Sequence, residues 1–131
     1  MPPEVETSTP PNTPTPIGPY QHVAKVGPFI AIGGTAGVDP ATGRLAGPDV
    51  ASQTRRILQS FEVMLASVGS DLAHAMHVNV FLLDMADFEE MNRAYAEVMG
   101  DHRPARTVVA VAALPRPGVR LTMNLTAVTR A

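Results

Sequence analysis

The chain has 131 residues, 45% of them hydrophobic, with a net charge of −2 and no cysteine. This is one domain's length with enough apolar residues for a core of its own, and it excludes disulfides, thiolate catalysis and cysteine-ligated zinc or iron–sulfur centres. The acidic balance gives no electrostatic footprint for nucleic acid or an anionic membrane, and no apolar run approaches the roughly 20 residues that span a bilayer.

Residues 1–16 are dominated by proline, threonine and acids, which predicts an extended, disordered tail. It lacks the basic and apolar stretches of a secretory signal, so a cytoplasmic protein is expected. The folded domain is expected over residues 17–131. Tyr20–Val26 and Phe29–Thr35 read as strands joined by a Gly27-Pro28 turn, and Gly33-Gly34 lets a backbone or ligand approach closely. Asp39-Pro40-Ala41-Thr42-Gly43 and Gly47-Pro48 are breakers. Asp49 caps a helix from about Val50 to Val68, whose Val50, Thr54, Ile57, Leu58, Phe61, Met64, Leu65 and Val68 form one stripe. Gly69 ends it. Ala75–Leu83 reads as a strand. Asp84 or Asp87 then starts a second helix, to about Met99, with Phe88, Met91, Tyr95 and Val98 inward and Gly100 as terminator. Thr107–Leu114 reads as a mostly buried strand closed by Pro115, and Val119–Val128 as a strand with clean alternation, one face buried and one polar.

The order ββαβαββ is α+β with one sheet. Two helices most simply cover one face, yet Phe29–Ile32 and Val78–Leu83 are apolar on both. The uncovered face therefore predicts self-association, with a ligand cleft at a subunit boundary.

Little conventional chemistry is on offer. His74 and His77 are spaced i,i+3, but the segment enters a strand, where that spacing sends the pair to opposite faces; no metal site is expected. The single histidines read as surface or satisfied residues. The serines lack a nucleophile elbow, and the glycines of Gly33–Gly37 do not precede a helix as a phosphate loop must. Arg106, at the mouth of an apolar strand, stands out. Its guanidinium cannot shed its charge and holds five donors in a rigid fork. It snorkels to water, joins a structural ion pair, or binds a carboxylate at the edge of a cleft.

Several segments recur together: Ile17-Gly18-Pro19-Tyr20, Val38-Asp39-Pro40 with Thr42-Gly43, Gln53-Thr54, and Phe81-Leu82 with Asp84. Asp87-Phe88, Met91-Asn92, Tyr95 and Pro104-Ala105-Arg106-Thr107 through Leu114-Pro115 follow. In this order and spacing, from about Pro16 to Val128, the chain resembles the Rid family (reactive intermediate deaminase, also YjgF or L-PSP ribonuclease-like). The resemblance implies a chorismate-mutase-like (YjgF-like) α+β fold: a single mixed sheet with two helices on one face, three chains closing into a barrel, and clefts between subunits. It implies hydrolysis of enamines and imines of amino acids to 2-keto acids and ammonia, without cofactor or metal. Arg106 would grip the substrate carboxylate, with Tyr20 and Asn92 near the cleft. The partners implied are a small carboxylate-bearing metabolite and a homotrimer, with neither nucleic acid nor membrane.

The chain departs from that pattern in two places. The family's Ser-Gly-Gln is here Gly33-Gly34-Thr35, and two glutamates of the last strand fall on Thr122 and Asn124. Threonine and asparagine can hold a water but cannot exchange a proton near neutral pH. The expectation is thus a Rid-type deaminase in which Arg106 binds the carboxylate, backbone near Val108 and Gly33 orients substrate, Thr122 holds the water, and Tyr20, Asn92 and Asn124 contribute to substrate binding. The alternative is a divergent, non-catalytic homologue that binds a small carboxylate. Ribonuclease activity is disfavoured by the acidic balance and the lack of a basic groove.

Overall fold

The computed structural model describes residues 4–131. Eight strands and two α-helices run in the order β1 (Glu6–Ser8), β2 (Val23–Val26), β3 (Phe29–Ala36), β4 (Val38–Asp39), β5 (Arg44–Leu45), α1 (Val50–Ala66), β6 (Ala75–Leu82), α2 (Phe88–Met99), β7 (Ala105–Ala110) and β8 (Leu121–Val128). Six strands form one mixed sheet in the order β1-β2-β3-β8-β6-β7, and β4 and β5 form a separate small ribbon. Only β6 and β7 pair in parallel, because α2 is the crossover between them; every other pair is antiparallel.

The helices form where the apolar stripes lie. On α1, Ile57, Leu58, Phe61, Met64 and Leu65 are fully buried, each contributing roughly 1.5–3 kcal/mol of apolar burial. Asp49 caps the helix by accepting the Ser52 N–H at 2.9 Å. After the last turn, Gly69 and Gly100 take φ of 78° and 63°, left-handed values that a side chain disfavours. The α1 and α2 helices lie side by side on one face of the sheet, tied at the surface by Arg55 Nε to Glu97 Oε2 at 3.0 Å.

Toward the helices the sheet presents Ile30, Ile32, Val78, Val80, Leu82, Leu121, Met123 and Leu125, all buried. The opposite face carries Phe29, Ala31, Met76 and Thr126 exposed, with Asn79, Phe81, Thr122 and Asn124 half-buried. Phe29 is 57% and Met76 45% exposed. This is the uncovered face expected from the sequence.

Three readings change. Thr107–Leu114, read as a mostly buried strand, is ordered as a strand only over Ala105–Ala110, and it is the sheet's edge, with Val109 41% exposed. An apolar run reports burial potential, and an edge position leaves part of it unused. The strand predicted from Tyr20 begins at Val23, because Tyr20 N–H closes a turn onto the Gly18 carbonyl at 2.9 Å. The disordered tail predicted over residues 1–16 is not the state of its later part. Glu6, Thr7 and Ser8 pair with Lys25, Ala24 and Val23, and Thr13 and Pro14 are buried. Composition missed this because backbone hydrogen bonding to a sheet edge needs no apolar side chain. Residues 1–3 of that call lie outside the described residues.

Candidate functional site

Register decides where each candidate points. On β7, Arg106 stands opposite Val78 and Val108 opposite Val80. Both therefore project to the helix face, and Val108 packs against the core edge. On β8, Thr122 stands opposite Phe81 and Asn124 opposite Asn79, on the uncovered face. Within one chain, Arg106 is thus separated by the sheet from Thr122 and Asn124.

The Arg106 side of the site is built by α2. Met91, Asn92 and Tyr95 occupy one flank of that helix at i, i+1 and i+4. The Arg106 guanidinium carbon lies 4.8 Å from the Tyr95 ring centre and 6.0 Å from that of Phe88, a cation–π arrangement. Its Nη1 is 3.9 Å from Met91 Sδ. Among the described residues no carboxylate pairs with it, so the structural ion pair that the sequence left open is not formed. Asn92, Tyr95, Ala96, Arg103, Pro104 and Arg106 line an open cleft of about 290 Å³ with two guanidinium groups and no acid. The Asn92 Oδ1 and the Tyr95 hydroxyl are buried without partners. Burial raises the Tyr95 pKa above its ordinary value, with Arg106 acting in the opposite sense.

A second concavity forms where β3 bulges. The β3–β8 register shifts between Ile32 and Thr35, so Gly33-Gly34 contribute an extra residue and re-aim the strand. Gly33 N–H donates to the His22 carbonyl at 3.0 Å, and Thr35 Oγ1 donates back to the Gly33 carbonyl at 2.9 Å. Beside the bulge a small cavity of about 90 Å³ has Tyr20, His22, Thr35, Pro115, Arg116 and Thr122 among its lining. Tyr20 also faces the adjoining groove with Gly33 and Gly34, and its hydroxyl accepts the Ile17 N–H at 3.2 Å.

Buried Gln53 holds the loops around this concavity. Its Nε2 donates to the Gly47 and Gly118 carbonyls, both at 3.0 Å, and its Oε1 accepts the Arg120 N–H at 2.8 Å. Gly37 presses against it so closely that a Cβ there would sit 2.6 Å from the Gln53 carbonyl oxygen. A glycine is therefore required at this joint.

The predicted residues thus fall into two half-sites. Asn92 and Arg106 meet in the β7–α2 cleft, with Val108 one strand repeat further on. Tyr20, Gly33 and Thr122 meet at the β3 bulge. Asn124 joins neither; its Oδ1 accepts from Asn79 Nδ2 at 2.8 Å on the uncovered face. His74 and His77 part as expected, His74 to Asp71 Oδ1 and His77 to Thr107 Oγ1. No cluster of metal-ligating side chains occurs among the described residues. Sequence reasoning missed Arg103, which shares the cleft with Arg106, and misjudged His22. The Arg103 signal was available as a second guanidinium three residues from the first. That of His22 was not, because its burial comes from a segment eight and more residues away.

A six-stranded mixed sheet with two helices on one face, an arginine without an acidic partner among the described residues at its parallel edge and a glycine bulge at the third strand define a small α+β domain of the YjgF-like class. The family model for endoribonuclease L-PSP matches residues 10–129, and the chain belongs to this Rid/YjgF/L-PSP family. It is 42% identical over 105 residues to a RutC family protein of Pyrococcus horikoshii, covering 80% of this chain and 83% of that one. It is 32% identical over 102 residues to the chloroplastic Reactive Intermediate Deaminase A of Arabidopsis thaliana, covering 78% and 54%. The crystal structure of the yeast protein YEO7 superposes with a TM-score of 0.91 at 32% identity, over 97% of this chain and 100% of that one. No helix among the described residues is long and apolar enough to cross a membrane.

Proposed function

We propose that this protein hydrolyses small 2-imino and 2-enamino acids to 2-keto acids and ammonia, as a cytoplasmic homotrimer whose sites join the β7–α2 cleft of one chain to the β3 bulge of the next. The observation that carries the reading is Arg106: a guanidinium braced by Tyr95 and Phe88 and left without an acidic partner. A permanent cation held this way suits a small anion, and its planar fork matches a carboxylate. Two features support a composite site. The half-sites lie on different parts of one chain, and the apolar uncovered face calls for a partner. A relative carries the deaminase name.

In this reading Arg106 binds the carboxylate, and backbone groups near Gly33 and Val108 fix the imine plane. Tyr20 and Asn92 close the sides, and Thr122 Oγ1 holds the water. Water adds to the imine carbon as the C=N electron pair moves to nitrogen. The resulting carbinolamine collapses with cleavage of the C–N bond, leaving ammonia and the 2-keto acid. The test generates a 2-iminopropanoate-type substrate in situ with a lyase and follows its decay. Decay faster than the spontaneous rate, and saturable in substrate, is expected; decay at the spontaneous rate overturns the reading.

One observation favours a second reading, a carboxylate-binding homologue without turnover: among the described residues no acidic side chain lines either half-site. Binding of pyruvate without hydrolysis would be its result.

A further inference from the structure

Imine hydrolysis needs a group that takes a proton from water and gives one to nitrogen, and neither half-site offers a carboxylate. Resting on the deaminase reading above, we infer that His22 is the proton carrier of this site, acting through its ring Nδ1.

Four observations meet at this residue. His22 and Thr122 both line this cavity, which sets the residue beside the space assigned to the attacking water. It is 3% exposed. Its Nε2 is 2.5 Å from the Pro14 carbonyl oxygen, which can only accept; Nε2 must therefore carry the hydrogen, and the neutral ring keeps its lone pair on Nδ1. That Nδ1 is buried and has no hydrogen-bond partner, a costly state for a basic nitrogen unless a water or ligand completes it.

The surroundings leave few rivals. Tyr20 and Arg116 are the other titratable side chains lining the cavity. A guanidinium has donors and no acceptor, whereas an imidazole ring carries a donor and an acceptor nitrogen together. Tyr20 meets the His22 ring edge-on, with centroids 5.8 Å apart. The segment folded over His22, from Thr9 to Pro14, contains no charged residue, and Thr9 Oγ1 accepts the His22 backbone N–H at 3.2 Å. The backbone opposite is Gly33. Among the described residues nothing donates a hydrogen bond to Nδ1.

The balance closes without a further reagent. As water adds to the imine carbon, Nδ1 takes its proton and returns it to the nitrogen, giving the neutral carbinolamine. On collapse, the hydroxyl proton passes to Nδ1 and from there to the departing nitrogen as the C–N bond breaks. One water is consumed, ammonia and a 2-keto acid are released, and His22 ends neutral.

The experiment compares the wild type with His22→Gln, whose amide N–H can still donate to the Pro14 carbonyl, by steady-state kinetics on lyase-generated imino acid across pH. The expected result is a roughly 10²-fold fall in kcat, the usual scale of general acid–base help, with little change in KM. An ionisation visible in the wild-type kcat–pH profile should vanish in the variant. A wild-type kcat and pH profile in His22→Gln overturns the inference while leaving the deaminase reading intact. No wild-type turnover overturns both. Nitrogen NMR of the wild-type ring stands apart from folding of the variant. An unprotonated Nδ1 at neutral pH supports the assignment, and a proton resident on Nδ1 defeats it.

Discussion

The Arg106 guanidinium carbon lies 4.8 Å from the centre of the Tyr95 ring, and the Tyr95 hydroxyl beyond it is buried without a partner. The aromatic face steadies the cation without neutralising it, so the fork remains available to an anion. Arg106→Ala is expected to lose binding of pyruvate-like 2-keto acids. Truncating a buried guanidinium–carboxylate contact typically costs roughly 2–5 kcal/mol, at least tens-fold in affinity. Arg106→Lys should recover only part of this, since an ammonium cannot make the paired contact. Calorimetry on the three proteins is the check, and equal affinities would return Arg106 to a purely structural role.

Some of this site was legible in the sequence and some was not, for definite reasons. The α1 stripe, the β8 alternation and the stops at Gly69 and Gly100 are local patterns, and they reappear with shifts of a residue or two. Arg106 was conspicuous because a charge beside an apolar run is anomalous wherever it lies. Period two puts Arg106 and Val108 on one face and Thr122 and Asn124 on one face. Whether those are the same face depends on pairing across β6, which no local pattern encodes. The same limit hid the ladder of Glu6–Ser8 on β2 and, with it, the burial of His22.

Assembly is expected to follow from Phe29 and Met76, which leave an apolar surface with Val5, Val26 and Ala31 around one groove on the uncovered side. Light scattering should give a particle of three chains. Phe29→Asp together with Met76→Asp should break it into monomers, since burying unpaired carboxylates is prohibitive. A wild-type monomer stable at micromolar concentration would remove the composite site.

The N-terminal segment is expected to contribute to the stability of the fold. Deleting residues 1–14 removes the β1 ladder and the carbonyl that holds His22 Nε2. With net values of about 0.5–1.5 kcal/mol per hydrogen bond, thermal unfolding should fall by several degrees. A melting temperature unchanged to within a degree would show that this strap adds nothing to the fold.

The acid limb of stability should contain a contribution from Asp49. Its carboxylate accepts from the Ser52 N–H and from the Ser52 hydroxyl, and these bonds hold its pKa below the ordinary carboxylate value. A carboxyl whose folded pKa is depressed stabilises the fold fully above its unfolded value, and that stabilisation is lost as pH falls through the folded pKa. Asp49→Ala should therefore cost about 1 kcal/mol at neutral pH, the usual loss of a helix N-cap. The difference from wild type should shrink below about pH 4, near the unfolded carboxyl value. Asp49→Asn, which caps without a charge, should stay close to wild type at neutral pH and show no such acid-dependent loss of its own. Urea unfolding of the three proteins at about pH 7 and about pH 3, on either side of the unfolded carboxyl value, tests this. A wild-type advantage over Asp49→Ala that is the same at both would mean that the ionised carboxylate contributes nothing beyond its shape.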